Sequence, residues 1–247
     1  MIKRLFLFLC LVFWVCVSCT KNGISSSNVD ESPISTGSDT LKTITPSIAT
    51  SYFIDIALGF EFGTATEVTR KWKEDIAIHV VGNPAPEVLE ELDSIINDLN
   101  RLLSSSGIEV NLAPSAAFAN VTMYLGSAEE FSNFVPLSNR IGGFSVNVDS
   151  EEVIIQALIF VNTTLPSLSR VKHTLREELT QILGLGKDSG RFPDSIFFET
   201  SSRNGSATSY SELDELIIQF LYDPRMDTGL NESRVRPILG EIASDFF

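Results

Sequence analysis

The stretch Arg176-Glu177-Glu178-Leu179-Thr180-Gln181-Ile182-Leu183-Gly184-Leu185-Gly186-Lys187-Asp188 decides how this chain is read. Placed at helical spacing, Leu175, Leu179, Ile182 and Leu183 form one apolar stripe, while His173, Glu177 and Gln181 step along the opposite flank. Glu178 falls nearer the stripe, beside Thr174, where a carboxyl group loses part of its hydration. The pattern predicts a helix from about Leu168 to Leu183 that stops at Gly184, the residue best able to take the left-handed conformation that ends a helix. That turn should bring residue 187 back toward Glu177 and Gln181, making Lys187 a built-in counter-ion.

Working outward, Asp75 to Val81 alternates and is rich in β-branched residues, which predicts a strand carrying His79 into the turn Gly82-Asn83-Pro84. Pro86 suits a first helical turn, and Val88, Leu89, Leu92, Ile95, Ile96, Leu99, Leu102 and Leu103 recur at steps of three and four. This is the clearest amphipathic helix, ended by Gly107 and followed by short strands at 108–112 and 121–125. Gly142 to Val148 alternates like a half-exposed strand, and Val153 to Val161 is almost unbroken apolar, as a buried strand is. Residues 52–70 read as a helix followed by an extended approach. Ser211 caps a third helix running through Leu221, with Glu212, Asp214 and Glu215 favouring its dipole. A strand, a helix, several strands and then helices make an α+β layer architecture.

The 247 residues carry 18 Lys+Arg against 32 Asp+Glu, a formal charge of −14, so no basic surface exists to neutralise phosphates and no nucleic-acid partner is expected. All three cysteines, Cys10, Cys16 and Cys19, lie at the N-terminus, and His79 and His173 are the only histidines. Neither a disulfide nor a zinc site of three His/Cys ligands can be assembled beyond residue 19, and no metal or other cofactor is expected.

Lys3 and Arg4 precede an uncharged run over 5–18, too short to span a bilayer and suited to a signal peptide. The run ends Val17-Ser18-Cys19, which resembles a bacterial lipobox and implies cleavage after residue 18 with acylation of Cys19. Residues 1–18 are then a lipoprotein signal peptide. Residues 19–47 follow as a tether, because 12 of the 28 residues in 20–47 are Ser or Thr. Residues 48–247 show no second break and form one domain. The expected location is the bacterial cell envelope, lipid-anchored at the outer membrane or cell surface, with the bilayer itself as a partner through acylated Cys19.

The central stretch resembles the metzincin zinc-protease motif, His-Glu-x-x-His-x-x-Gly-x-x-His. Glu178 falls on the general base, Gly184 on the turn glycine and Asp188 on the acid that often follows, while Glu177, Gln181 and Lys187 stand at the former zinc-ligand positions. Asp194-Ser195-Ile196-Phe197 is similar to the approach to the Met-turn, with Phe197 at the methionine, and Glu212 to Tyr222 is similar to the last metzincin helix. Narrower still, Glu177-Glu178-Leu179-Thr180-Gln181, Asp188-Ser189, Ser195-Ile196-Phe197, Leu221 to Arg225 and Gly229 together resemble the bacterial domain-of-unknown-function family number 2927, which carries Glu-Glu-x-x-Gln at this place.

The resemblance implies a zincin-like α+β fold. Its parts are a mixed twisted sheet with an edge strand, a long backing helix, a degenerate active-site helix and a C-terminal helix. It also implies a pseudoprotease, a non-catalytic module that takes a peptide or protein along the edge formed by Gly143, Phe144, Ser145 and Val146. The alternative is a metal-dependent, peptidase-like hydrolase using Glu178 as general base with ligands other than histidine.

Overall fold

A computed structural model of the chain describes residues 43–60, 66–131 and 141–247. The residues expected to form a signal peptide, Cys19 and nearly all of the expected tether lie outside these residues.

The first helix, α1 (Pro46–Ala57), starts with Pro46 at its N-terminus and is capped by Thr45, whose side chain accepts from Ile48 N. This helix begins two residues before the domain boundary read from composition. Strand β1 (Ile76–Gly82) follows, then α2 (Pro86–Leu102), β2 (Val110–Leu112), β3 (Val121–Gly126), β4 (Gly142–Val148), β5 (Ile154–Asn162) and α3 (Leu168–Gln181). A two-residue hairpin, β6 (Glu199–Thr200) with β7 (Arg203–Asn204), precedes α4 (Glu212–Tyr222) and α5 (Glu232–Ala243).

The five-stranded sheet has the order β2-β1-β3-β5-β4. Pairs from β2 to β5 are parallel, and β4 alone runs antiparallel, at one edge. The parallel strands need crossovers, which α2 supplies between β1 and β2. Both α2 and α3 pack against the sheet and against each other, whereas α1, α4 and α5 pack together as a second helical group. The long apolar stripe of α2 explains its place: Val88, Leu92, Ile95, Leu99 and Leu102 are all buried. The mixed sheet, the antiparallel edge strand, the backing helix and the glycine-stopped helix are as expected.

Some details go beyond the expectation or differ from it. In β5, Ile155 and Gln156 are exposed, at a register irregularity where Asn147 pairs with Gln156 and Val148 with Ile154, so that Ile155 is the extra residue. On α3, His173, Thr174, Arg176, Glu178 and Gln181 are buried and Glu177 is half-buried, since the helix packs on α2 and on β4 and β5; burial of Glu178 is as expected, whereas that of His173 and Gln181 on the opposite flank is not. Helix α5 has no counterpart in the sequence reading. Its interior contains Pro237, a residue that removes a helical hydrogen bond, and its cap Asn231 accepts from Arg234 N. Arg225, after α4, pairs with Asp223 and Asp245.

The end of α3 is held by groups far away in sequence. Gly184 has φ +109°, and a Cβ there would stand 1.9 Å from Arg70 O, so both conformation and close approach require glycine. Trp72 Nε1 donates to Ile182 O at 2.8 Å, and Tyr222 Oη donates to Leu183 O at 3.0 Å while accepting from Trp72 N. These bonds satisfy carbonyls that a helix end leaves unpaired. Tyr222→Phe removes the hydroxyl from a fully buried site and should cost about 1–2 kcal/mol, measured as a fall in the urea midpoint with unchanged slope.

Candidate functional site

The site forms where α3 runs beneath the first residues of β4. Its close approach is set by Gly142: a Cβ there would stand 2.4 Å from Thr174 Cγ2 and 2.8 Å from Glu178 Oε1. Thr174 and Glu178, one helical turn apart, therefore converge on the underside of the edge strand. Thr174 is 2% exposed, and its Oγ1 has no hydrogen-bond partner among the described residues.

Further along α3 and past its turn, two of the positions that the resemblance likens to zinc ligands, Gln181 and Lys187, are engaged inside the chain. Gln181 Nε2 donates to Asp188 Oδ1 at 2.8 Å. Lys187 Nζ points to Glu67 Oε1 at 3.0 Å, and its backbone N donates to Ile56 O. The expectation that Lys187 serves as counter-ion to Glu177 and Gln181 is thus corrected: the turn at Gly184 brings Asp188 back to Gln181, and Lys187 is carried toward α1 and the segment after it. Zinc held in the metzincin manner needs three neutral imidazoles, and these positions offer a carboxylate, an amide already used, and an ammonium with no lone pair. The residues do not fit that metal.

Glu177 lies with Asp188 and Glu199 in a group in which one carboxylate oxygen from each lies within 4.8 Å of the others. Among these, Glu199 comes from β6 and no motif in the sequence pointed to it. The donor set is oxygen only, which suits a hard cation better than zinc. Beside it, His173 is 1% exposed; its Nδ1 donates to Ala207 O at 2.7 Å and its Nε2 faces Glu177 Oε2 at 3.5 Å. Burial pushes the His173 pKa below the ordinary histidine value, against the opposing pull of the Ala207 carbonyl. Gly205 permits this packing, since a Cβ there would meet the imidazole at 2.6 Å.

Two supports fix the surroundings. On the α2 side, Arg176 is 3% exposed and reaches Glu91 at 2.9 Å and Asp98 at 2.8 Å. Behind the turn, Phe197 is fully buried, and the neighbouring Ser195 Oγ joins Tyr52 Oη at 2.7 Å and Asp214 Oδ1 at 2.6 Å. Burial raises the Asp214 pKa above the usual carboxylate value, outweighing bonds from Ser195, Ser211 and Ile196 that favour the charged form.

The edge itself has a definite polarity. Asn162 N donates to Ile141 O, so the backbone groups of residues 141, 143, 145 and 147 face β5. Those of Gly142, Phe144 and Val146 face outward. Among the described residues β4 has a strand neighbour on one side only. Phe60, bridged to Gly186, places its ring 6.0 Å from that of Phe144 in an edge-on contact. Gly186 allows this, because any Cβ would stand 2.1 Å from the Phe60 ring. Phe60 carried no role in the sequence reading.

Fold and site together define an α+β domain with an antiparallel edge strand beside a helix that carries Glu177, Glu178 and Gln181 and ends at the Gly184 turn. The chain belongs to the family of proteins of unknown function DUF2927, whose model matches residues 47–241. Two solved structures of myroilysin are similar to it: one at 12% identity and TM-score 0.38, covering 62% of this chain and 95% of that one, the other at 11% and 0.38, covering 62% and 85%. No curated protein matches the chain.

Proposed function

We propose that this chain is a bacterial envelope lipoprotein whose zincin-like domain is a pseudoprotease, binding an extended peptide or protein segment along β4 without cleaving it. The supporting observation is the outward row of backbone donors and acceptors at Gly142, Phe144 and Val146, beside a helix whose ligand positions are tied up internally. An extended partner adds to such an edge through main-chain hydrogen bonds and needs no metal. Among the described residues no helix is long and apolar enough to cross a membrane, and acylation of Cys19 supplies the anchor in this reading.

The binding claim is tested by selecting binders to the full chain from a randomised linear peptide library. Val146→Pro removes one outward N–H while leaving the bonds to β5 in place, a substitution that edge strands tolerate. It should weaken the selected peptides about tenfold, whereas Phe118→Ala, which removes an exposed apolar ring elsewhere, should change nothing. Equal loss in both variants, or none in Val146→Pro, contradicts edge binding. The anchor has its own test: Cys19→Ser should move the chain from the membrane fraction to the soluble fraction, and unchanged fractionation rejects lipidation there.

A further inference from the structure

Resting on the anchored reading above, the geometry points to a second contact with the bilayer: the loop over residues 113–120, with Leu112 at its start, seats Phe118 in the interface of a phospholipid surface that carries no net charge.

The loop joins the two strands that flank β1, because the sheet order is β2-β1-β3. Ala113 N donates to Ile78 O and Asn120 N to Ala77 O, so the chain leaves and rejoins the sheet at the same level of β1 and bulges away from it between. Helix α2 steps from β1 to β2, whereas the loop steps back across β1 to β3. Parallel connections are right-handed, which puts helix and loop on opposite faces of the sheet. The neck is fixed by one side chain: Asn120 Oδ1 accepts from Ala77 N at 2.8 Å, and Asn120 Nδ2 donates to Asp75 O at 2.8 Å.

What this loop presents is apolar. From Val110 to Asn120 there is no charged residue, in a chain of which 20% is charged. A short 3-10 turn, Ala116–Phe118, leaves the Phe118 ring 71% exposed. Leu112 is 47% exposed, and Pro114, Ala116 and Ala117 between them are exposed too. Apolar residues scattered singly over a surface are ordinary, but a run of them on a loop held at both ends makes a contact patch.

The anchor selects what covers it. In the anchored reading residues 19–47 keep the domain on the order of 30 Å from the lipid, so the bilayer is always within reach and a weak patch suffices to dock. Charge selects as well. A chain of formal charge −14 is repelled by anionic headgroups, and an uncharged loop carrying a Phe and a Leu enters an interface at the least cost. Strand β4 lies three strands from β1, about 14 Å across the sheet, so its outer edge stays clear of the docked loop and peptide binding in solution does not depend on Phe118.

The test adds one tryptophan at a time to the full acylated chain: Phe118→Trp in the loop, and Leu89→Trp at an exposed position of α2 on the opposite face. Each variant is bound to phosphatidylcholine vesicles with brominated acyl chains, and its emission is read above that of the unsubstituted chain, whose Trp72 is buried. Docking predicts that the indole of Phe118→Trp is quenched several-fold more than that of Leu89→Trp. Equal quenching of the two, or none in a chain that sediments with the vesicles, overturns docking and leaves the anchor standing. A chain that does not sediment with vesicles overturns both. If the emission of Phe118→Trp shifts to the blue without vesicles as the chain is concentrated, the loop meets a second copy, and docking to lipid is again overturned.

Discussion

Asp214→Ala should lower stability by about 4 kcal/mol, seen as a drop in the urea midpoint with little change in slope. The carboxylate is fully buried and accepts from Ser195 Oγ at 2.6 Å, Ile196 N at 3.1 Å and Ser211 N at 2.9 Å. Alanine strands three donors at once, each costing roughly 1–3 kcal/mol when left unsatisfied in the interior. It also removes half of the capping box that starts α4. Tyr52 is linked through Ser195, so the loss reaches α1 as well. The pH dependence has a fixed sign. Because the folded-state pKa of Asp214 is raised, the native state binds the proton more tightly. The contribution of this group is greatest below the unfolded pKa and is lost as pH rises through the folded one. Asp214→Asn does not titrate, so the stability advantage of the wild type over it should shrink as pH rises above the ordinary carboxylate value and through the raised folded one. A constant or widening gap contradicts the assignment.

Arg176→Leu is the second large effect, about 3 kcal/mol. The guanidinium is buried between α2 and α3 with one nitrogen on Glu91 and another on Asp98, and it stacks 4.8 Å over the Tyr210 ring. Removing it leaves Glu91, itself 8% exposed, with Lys172 at 3.2 Å as its remaining cation. Breaking one partner of a buried pair is costlier than the pair is worth, so Arg176→Leu with Glu91→Leu should recover most of the loss. If the double substitution is as destabilised as the single, packing of the guanidinium and not its charge holds α2 to α3.

The strength of each local signal explains what could be read from the sequence. Helix α2 declares itself through an unbroken apolar stripe, and α4 through Ser211 followed by acids, because both signals are local. The stop at Gly184 is local too. Burial of the second flank of α3 was not legible: a helix with charged residues on one side looks solvated until Glu91 and Asp98, some 80 residues earlier in the chain, supply the partners for Arg176. The placing of Lys187 failed for a related reason. A turn glycine fixes where the chain reverses but not which of two successive side chains points back, and here Asp188 does. Glu199 and Phe60 reach the site by tertiary contact from segments without a motif. Helix α5 combines a weak stripe with an internal proline, so periodicity alone understates it.

The most direct measurement is amide hydrogen exchange on the full chain, with and without the tightest selected peptide, coupled to mass analysis of that peptide after prolonged incubation. Edge binding without hydrolysis predicts slowed exchange at Gly142, Phe144 and Val146, whose N–H groups face outward, and a peptide of unchanged mass. Unaltered exchange at those three amides, or a shortened peptide, contradicts it.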